Sequence, residues 1–532
     1  MTDTFFGRRP AFWATAIICA TTLVRFWFVA THQLDLVQDE AQYWDWTRHL
    51  QLSYYSKGPL IAWCIALGSA VCGNTELGVR IMAVAGSLLI QIFLYRLMAV
   101  QMGKPRAALV TLVIANGTPL FLASGVLMTT DNPLLACWLG AMCCLHAASR
   151  DERNTTPLVL LALCMAVGVL AKYMMLAFLA VAAVYMVGLR RHGLAPRGFY
   201  ARAWAAMLLG AAIGFLPILA WNMGNDWVGF RHVAGQAGVA ASNAPFIRFD
   251  RFPEYMGSQI GLLTPWWFAF MLLGAWGAAK AVLRKKPLAH FYAREETDPR
   301  EPWLLAPSFW LVWGFFLVWS FHKKIYPNWS AVSYAGGLIL AGLACDRFLA
   351  AAWPRRRKAA ATLACLACLV FGALHLQNWL PLPDTINPTL RLKGWSDLGQ
   401  AVDALARSEF PDPQRVFFFG ESYTMTAALA FYAPGQPHAY CADFGRRMNQ
   451  YDLWSTPDDD GKKGWDAIFV RKGFDAYTPP LVPPEGALFD TVRVIRYQTK
   501  HRGQPARKFT IWLCRNYHGP WPAFAKDAHS DF

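Results

Sequence analysis

Residues 10–46 read PAFWATAIICATTLVRFWFVATHQLDLVQDEAQYWDW, and this stretch decides what kind of protein the chain is. An almost uninterrupted apolar run ends near residue 30 and is followed at once by Asp35, Asp39 and Glu40, then by Tyr43 and Trp44. Crossing a hydrocarbon core about 30 Å thick takes roughly 20 apolar residues in a helix, which is the length of this run. Arg8 and Arg9 precede it. The run is too long for the apolar part of a typical signal peptide and no clear small-residue cleavage site follows, so it reads as an uncleaved anchor.

Working outward, the same pattern recurs. Apolar spans fall near 11–30, 79–100, 106–124, 132–148, 156–171, 173–189, 203–221, 259–282, 305–321, 330–348 and 359–378, about eleven in all. Composition agrees: of 532 residues 55% are hydrophobic and 16% charged, which sets aside a single soluble globular domain. The net charge of +16 is not spread evenly, because +14 of it lies in the first 384 residues, in loops between apolar runs. A nucleic-acid binder would instead cluster Lys and Arg with aromatics on one polar face, so no nucleic-acid partner is expected.

With the N-terminus inside, strict alternation puts Arg150 and Arg153, Arg190 to Arg202, Arg284 to Lys286 and Arg355 to Lys358 on that same side. The expectation is a multi-pass protein of a bacterial inner membrane with a cytoplasmic N-terminus. An odd number of spans then exports the C-terminal part to the periplasm.

That part, residues 385–532, reads as a small α/β domain beside a membrane domain of residues 1–384. Short β-rich runs at Val416 to Phe419, Ala467 to Val470, Val492 to Tyr497 and Phe509 to Cys514 alternate with helical stretches at Trp395 to Ser408 and Thr424 to Tyr432. Turn-rich segments, among them Pro411 to Pro413, Pro457 to Gly464 and Pro479 to Pro484, separate them. Of 12 Cys, only Cys441 and Cys514 lie in this domain, either as free thiols or as a bridge. Cys365 and Cys368 have metal-like spacing but sit inside a span without a second pair, and read as helix packing.

Ion-coupled transporters carry acids at mid-membrane, whereas here the acids sit in loops. In the first outer loop, Asp39 and Glu40 are either a base held at low dielectric near the headgroups or the solvated edge of an interfacial helix. Asp131, in the run Thr129 to Pro133, falls on the same face and also reads as a helix N-cap. Lys57, Lys172, Lys323 and Lys324 break the inside-positive pattern, each in a short outer loop, where they would hold a phosphate or reach lipid headgroups.

The run Asp39 to Trp44, then Tyr54, Tyr55, Ser56, Lys57, Gly58, Pro59, then Glu76 to Arg80, resembles the opening of bacterial glycosyltransferase family 39. That family belongs to the C-type glycosyltransferase superfamily, with the protein O-mannosyltransferases and the lipid A aminoarabinose transferases. Thr130 to Pro133, Ala171 to Tyr173 and Pro327 to Trp329 fit the same pattern, which covers roughly residues 10–380. The segments Ala430 to Pro437 and Gly445 to Asp452 resemble the outer domain of one bacterial branch.

The resemblance implies an α-helical multi-span C-type glycosyltransferase fold and an inverting sugar transfer from a polyprenyl (undecaprenyl-type) phosphate. The acceptor would be lipid A, core oligosaccharide, another glycolipid or protein. It makes Asp39 the base, with Glu40 orienting it or the acceptor, Asp131 tuning it or binding substrate, and Lys57 holding the donor phosphate. Tyr54, Tyr55, Lys172, Lys323 and Lys324 become further donor-site candidates. Two positions depart from the aminoarabinose branch: Ser56 stands where that branch has an acidic metal ligand, and Gln42 where it has Arg. The resemblance therefore leaves both a divalent metal and the aminoarabinose donor open, with Ser56 at the usual acidic ligand position. In the C-terminal domain, Arg446, Arg447, Asn449, Tyr451 and Trp454 are either acceptor-binding or a structural cap. A flippase for lipid-linked sugars and an envelope scaffold are the competing functions.

Overall fold

The computed structural model describes residues 8–151, 153–237, 249–284, 298–350, 353–378, 389–474 and 488–522. The expected domain boundary at 384, the turn segment 479–484 and the basic pair Lys285 and Lys286 lie outside the described residues.

Helices dominate the first part. Seven are long and apolar enough to cross a membrane: Pro10–Ala30, Glu76–Gln101, Tyr173–His192, Arg197–Met223, Pro265–Leu283, Arg300–Trp319 and Arg356–His375. Leu60–Cys72, Pro105–Asn116 and Thr156–Ala171 are apolar but shorter. Helix length alone therefore does not return the expected eleven spans. Several apolar runs are broken instead, as where helix Pro105–Asn116 stops at Gly117 and a new one starts at Pro119, a residue that can open a helix but not continue one.

The loops sort to two ends of the bundle. At one end Lys104 pairs with Glu301 (2.5 Å), Arg150 with Asp298 (3.2 Å) and Arg106 with Asp346 (3.6 Å). At the other, Asp131 meets Lys172 and Asn328. Alternating helices thus bring the sequence-expected outer loops together.

The C-terminal part carries a five-stranded mixed sheet in the order β2-β1-β3-β5-β4. Strands β1 (Val416–Gly420), β2 (Ala439–Cys441) and β3 (Asp466–Lys472) are parallel, and β4 (Phe489–His501) and β5 (Gln504–Tyr517) form an antiparallel hairpin. Arg502 and Gly503, both at positive φ, make its two-residue turn. Cys441 on β2 and Cys514 on β5 are free and stand three strands apart, roughly 14 Å at ~4.8 Å per strand, so the contemplated bridge does not form. Cys365 and Cys368 are exposed on the outside of their helix, so they do not pack against a neighbour.

Two cores are the largest among the described residues. One fills the helical bundle. The second is shared: Leu36, Trp44, Trp46 and Tyr54 of the first outer loop pack with Trp395, Leu398, Phe431 and Ile511 of the C-terminal part. Phe431 meets the Trp44 ring edge-on at 4.9 Å. The loop after the first span is built into the C-terminal part rather than lying beside it.

Candidate active site

Two neighbouring acids take opposite directions. Residues Gln38–Thr47 form a helix whose first turn contains Asp39 and Glu40, about 100° apart around the axis. Glu40 points inward and is fully buried. Arg80 clasps it through Nε (3.0 Å) and Nη2 (2.7 Å), and the backbone N–H groups of Val37 (2.9 Å) and Met128 (2.8 Å) donate to it. The same Arg80 donates to the carbonyls of Leu34 (2.7 Å) and Asp35 (2.8 Å). With its oxygens spoken for, Glu40 positions the helix and does not reach substrate, which corrects any direct catalytic role for it.

Asp39 faces outward and is exposed. Tyr423 Oη, from the helix after β1, donates to its Oδ1 at 3.3 Å. Among the described residues Asp39 makes no ion pair. The burial expected of a carboxylate in this loop is found at Asp35 instead. Burial, and Glu76 nearby, raise Asp35 to about 6, while its Oδ2 accepts from Trp395 N (2.7 Å) at the start of the C-terminal helix Trp395–Glu409.

Asp131 opens the helix Asp131–Ala148; Thr130, not Asp131, is the cap. Lys172 Nζ donates to Oδ1 at 2.7 Å and Asn328 Nδ2 to Oδ2 at 2.6 Å, so three separate loops meet on one carboxylate. Two glycines allow these approaches. A Cβ at Gly86 would lie 1.8 Å from Asn132 Oδ1, whose Nδ2 donates to the carbonyls of Ala83 and Ser124. A Cβ at Gly58 would lie 2.1 Å from the Leu170 carbonyl, so only glycine lets the Lys57 segment reach the end of helix Thr156–Ala171.

Lys57 lies at the centre. Burial and the charges of Lys172 and Arg447 hold its ammonium below the usual lysine range, opposed by Asp39 and Asp131. No salt bridge or hydrogen bond engages its Nζ among the described residues. Beside it, the rings of Tyr55 and His232 stand 4.5 Å apart. Burial, Arg447 and Lys57 push His232 down to about 3, so its imidazole is neutral at pH 7. Tyr55 Oη and His232 Nδ1 are buried polar atoms with no hydrogen-bond partner among the described residues. Such atoms are costly unless something pairs with them.

Other expected residues are placed elsewhere. Tyr54 is buried, stacked on Trp46 at 4.3 Å, its hydroxyl donating to the Trp46 carbonyl (3.2 Å); it packs the loop and does not face a phosphate. Lys323 donates to the Gly235 carbonyl (2.7 Å) and Lys324 pairs with Glu254 (2.6 Å), so both fasten neighbouring helices. Arg446 is locked onto Asp452 (2.6 Å) and the carbonyls of Ala442 and Cys441. Asn449 caps the Tyr451 N–H (2.9 Å), and Tyr451 Oη donates to Asp45 Oδ2 at 2.6 Å. These three hold a turn and the seam between the two parts. Trp454 packs on His49 and Tyr451, and Arg447 is exposed.

Tyr423 and His232 were missing from the sequence reading. Nothing near Tyr423 signals a site 384 positions away, and one His among apolar residues is usually a packed one. No group of three or more His, Cys, Asp or Glu able to hold a metal occurs among the described residues, and Ser56 supplies no charged ligand. A cleft of about 400 Å³ opens between His49, His438, Asp460 and Lys462 at the far end of helix Gln38–Thr47, but Asp460 there is taken by Tyr440 (2.6 Å).

Residues 56–221 match the dolichyl-phosphate-mannose-protein mannosyltransferase family. The lipid A galacturonosyltransferase RgtD of Rhizobium johnstonii is 27% identical over 404 residues, 73% of this chain and 77% of RgtD. Crystal structures of ArnT from Cupriavidus metallidurans superpose over 94% of this chain and 98% of ArnT at 17% identity. The TM-score is 0.58 for the apo state and 0.59 for the form bound to undecaprenyl phosphate.

The chain has the fold of ArnT.

The superposition extends through the C-terminal sheet, since it covers nearly the whole chain. It shows the fold; the assignment of residues rests on the geometry above.

Proposed function

We propose that this membrane protein transfers a sugar from a polyprenyl phosphate to an envelope acceptor, with inversion, at the end of the bundle that carries Asp39 and Lys57. One observation carries the reading. A carboxylate and an ammonium share one site, each without an ion-pair partner, while the neighbouring Asp131 is neutralised by Lys172. Opposite charges that act on each other and have no ion-pair partner among the described residues suit a substrate that lies between them.

In the reaction, Asp39 takes the proton of the acceptor hydroxyl as its oxygen attacks the anomeric carbon. The bond from that carbon to the phosphate oxygen breaks, and its electron pair leaves with the polyprenyl phosphate. Lys57 holds the developing phosphate charge, with Tyr55 Oη and His232 as hydrogen-bonding partners for its oxygens. Base and leaving group on opposite sides of the sugar give inversion in one displacement. The proton returns to solvent from exposed Asp39. Tyr423 steers the carboxylate, and Asp131 keeps Lys172 and Asn328 in register beside Lys57.

The chemistry of RgtD supports a glycolipid of the lipid A class as acceptor ahead of protein. Basic residues at the opposite end of the bundle support an inner-membrane orientation with the N-terminus cytoplasmic and the site periplasmic. Mass spectrometry of envelope glycolipids and glycoproteins tests this in strains that are deleted, complemented, or complemented with equally expressed Asp39→Asn. One sugar should vanish on deletion and return only with native Asp39. Full restoration by Asp39→Asn would put transport or scaffolding in place of transfer.

A further inference from the structure

Helix Pro10–Ala30 carries a single charged side chain, Arg25, and it is buried, 2% exposed, rather than turned to lipid headgroups. Five residues separate it from the end of the helix that leads to Asp39, a depth of roughly 8 Å. Its one hydrogen bond among the described residues runs from Nη2 to Asn116 Oδ1 (2.6 Å), and among them it makes no ion pair. Nε and Nη1 are both buried and donate to nothing there. Arginine does not give up its charge in proteins, and a buried charge without a counter-charge is costly. An ionisable group at membrane depth marks a functional site by default.

The residues around this guanidinium hold it in place, and all of them are neutral. Asn116 ends helix Pro105–Asn116 at the break before Pro119. Its Nδ2 donates to Gln91 Oε1 (2.9 Å) and to the Leu112 carbonyl (2.9 Å), and Thr21 Oγ1 donates to the same Gln91 oxygen (3.1 Å). A Cβ at Gly125 would lie 2.5 Å from Arg25 Nε and 3.0 Å from Ser87 Oγ, so glycine admits the side chain there and brings the Ser87 hydroxyl alongside. Two further hydroxyls are buried without a partner: Thr22 Oγ1, one turn before Arg25 on the same helix face, and Ser124 Oγ, next to Gly125. Against five guanidinium N–H groups the described surroundings offer one amide oxygen. Donors are in excess here, and negative charge is what the cluster lacks.

The form of the missing charge follows from the enclosure. A lipid phosphate would have to draw its chains between helices whose polar atoms here are sealed from the surface. A monatomic anion needs only one cation and a few N–H and O–H donors, which Arg25, Thr22, Ser87 and Ser124 provide.

We propose that Arg25 anchors an intramembrane site for a small monovalent anion of the halide class, held between helices Pro10–Ala30 and Glu76–Gln101 and the broken segment 116–125. The anion neutralises the guanidinium directly beneath the stretch 125–131, which contains Met128, the donor to Glu40, and ends at Asp131. No group of the Asp39 and Lys57 site takes part, so this inference stands apart from the transfer reaction.

The test is binding of radiolabelled chloride to the purified full-length chain in detergent, in gluconate buffer at fixed ionic strength. Wild type is compared with Arg25→Met, which removes the cation, and with Asn116→Asp, which sets a carboxylate against Nη2 and so supplies the counter-charge from within. Wild type should bind a single chloride saturably, release it to bromide, and melt at a higher temperature as chloride is added, as a ligand of the folded state requires. Both variants should bind chloride at least about 100-fold more weakly. Asn116→Asp should melt in gluconate at least as high as wild type does, a readout that stands even where Arg25→Met does not fold. Absence of saturable chloride binding to wild type, or binding unchanged in Asn116→Asp, would overturn the proposal. Displacement of chloride by inorganic phosphate but not by bromide would overturn the halide assignment.

Discussion

Asp39 and Glu40 are adjacent, alike in charge and opposite in task. The sequence places an acidic pair after a span but not its rotation, and one position on a helix decides which acid meets Arg80 and which meets solvent. The two substitutions should therefore separate cleanly. Glu40→Gln leaves Arg80 buried without its counter-charge, at a cost of about 3–5 kcal/mol. Asp39→Asn, exposed, should shift stability by no more than about 0.5 kcal/mol while abolishing transfer. Thermal unfolding in detergent beside an activity assay reads both. Asp35 gives a pH signature. Its folded pKa of about 6 lies above the 3.8 of a free carboxyl, so the folded state holds this proton more tightly. The resulting stabilisation is complete below about pH 4 and is lost as pH rises through 6, on the order of 3 kcal/mol by pH 7. In Asp35→Asn that fall between pH 4 and 7 should flatten, because the amide carbonyl still accepts from Trp395 N. An unchanged Tm profile would show that Asp35 is ionised at little cost.

At the scale of elements, the site depends on how closely loops approach one another. Lys57 owes its place to Gly58 against the Leu170 carbonyl, and Asp131 to Asn132 seated on Gly86. Gly58→Ala puts a methyl carbon where backbone already lies, so Lys57 has to withdraw. Donor KM should rise by about tenfold or more, with the helices intact by circular dichroism. A KM equal to that of wild type would mean that Lys57 does not hold the donor. The motif Tyr54 to Pro59 was legible because it is contiguous. Its partners were less so: Asn328 and Lys172 could be placed on the right face by counting spans, but the pairing of Lys172 with Asp131 rather than with phosphate depends on distances that alternation does not supply. Lys323 and Lys324 share that face and still turn away, to Gly235 and Glu254.

For the whole molecule, the main departure from the sequence reading is that the C-terminal part is not a separate body. Its strands and helices were largely visible in alternating runs, apart from the short β2 and the full length of the β4–β5 hairpin. What composition could not reveal is that Trp44 and Trp46 belong to its core, since both sit in a loop nearly 350 residues earlier. A chain ending at residue 384 would expose that surface and should not accumulate as folded, active protein. Trp44→Ala, which empties the contact with Phe431, should cost about 3–5 kcal/mol and lower activity only through loss of folded enzyme. Detergent-solubilised yield and size-exclusion behaviour report on each. An active, monodisperse truncation would show that the outer loop holds its shape alone.

The central claim is that Asp39 is the base in a sugar transfer from a lipid phosphate. Its most direct test is the single-turnover rate of purified wild type and Asp39→Asn with a saturating polyprenyl-phosphate sugar and acceptor, with donor affinity measured on the same samples. A general base contributes about 10²–10⁴-fold. Asp39→Asn should therefore slow transfer by at least a hundredfold and leave the donor Kd within about threefold. A transfer rate within tenfold of wild type, at unchanged donor affinity, would contradict the assignment.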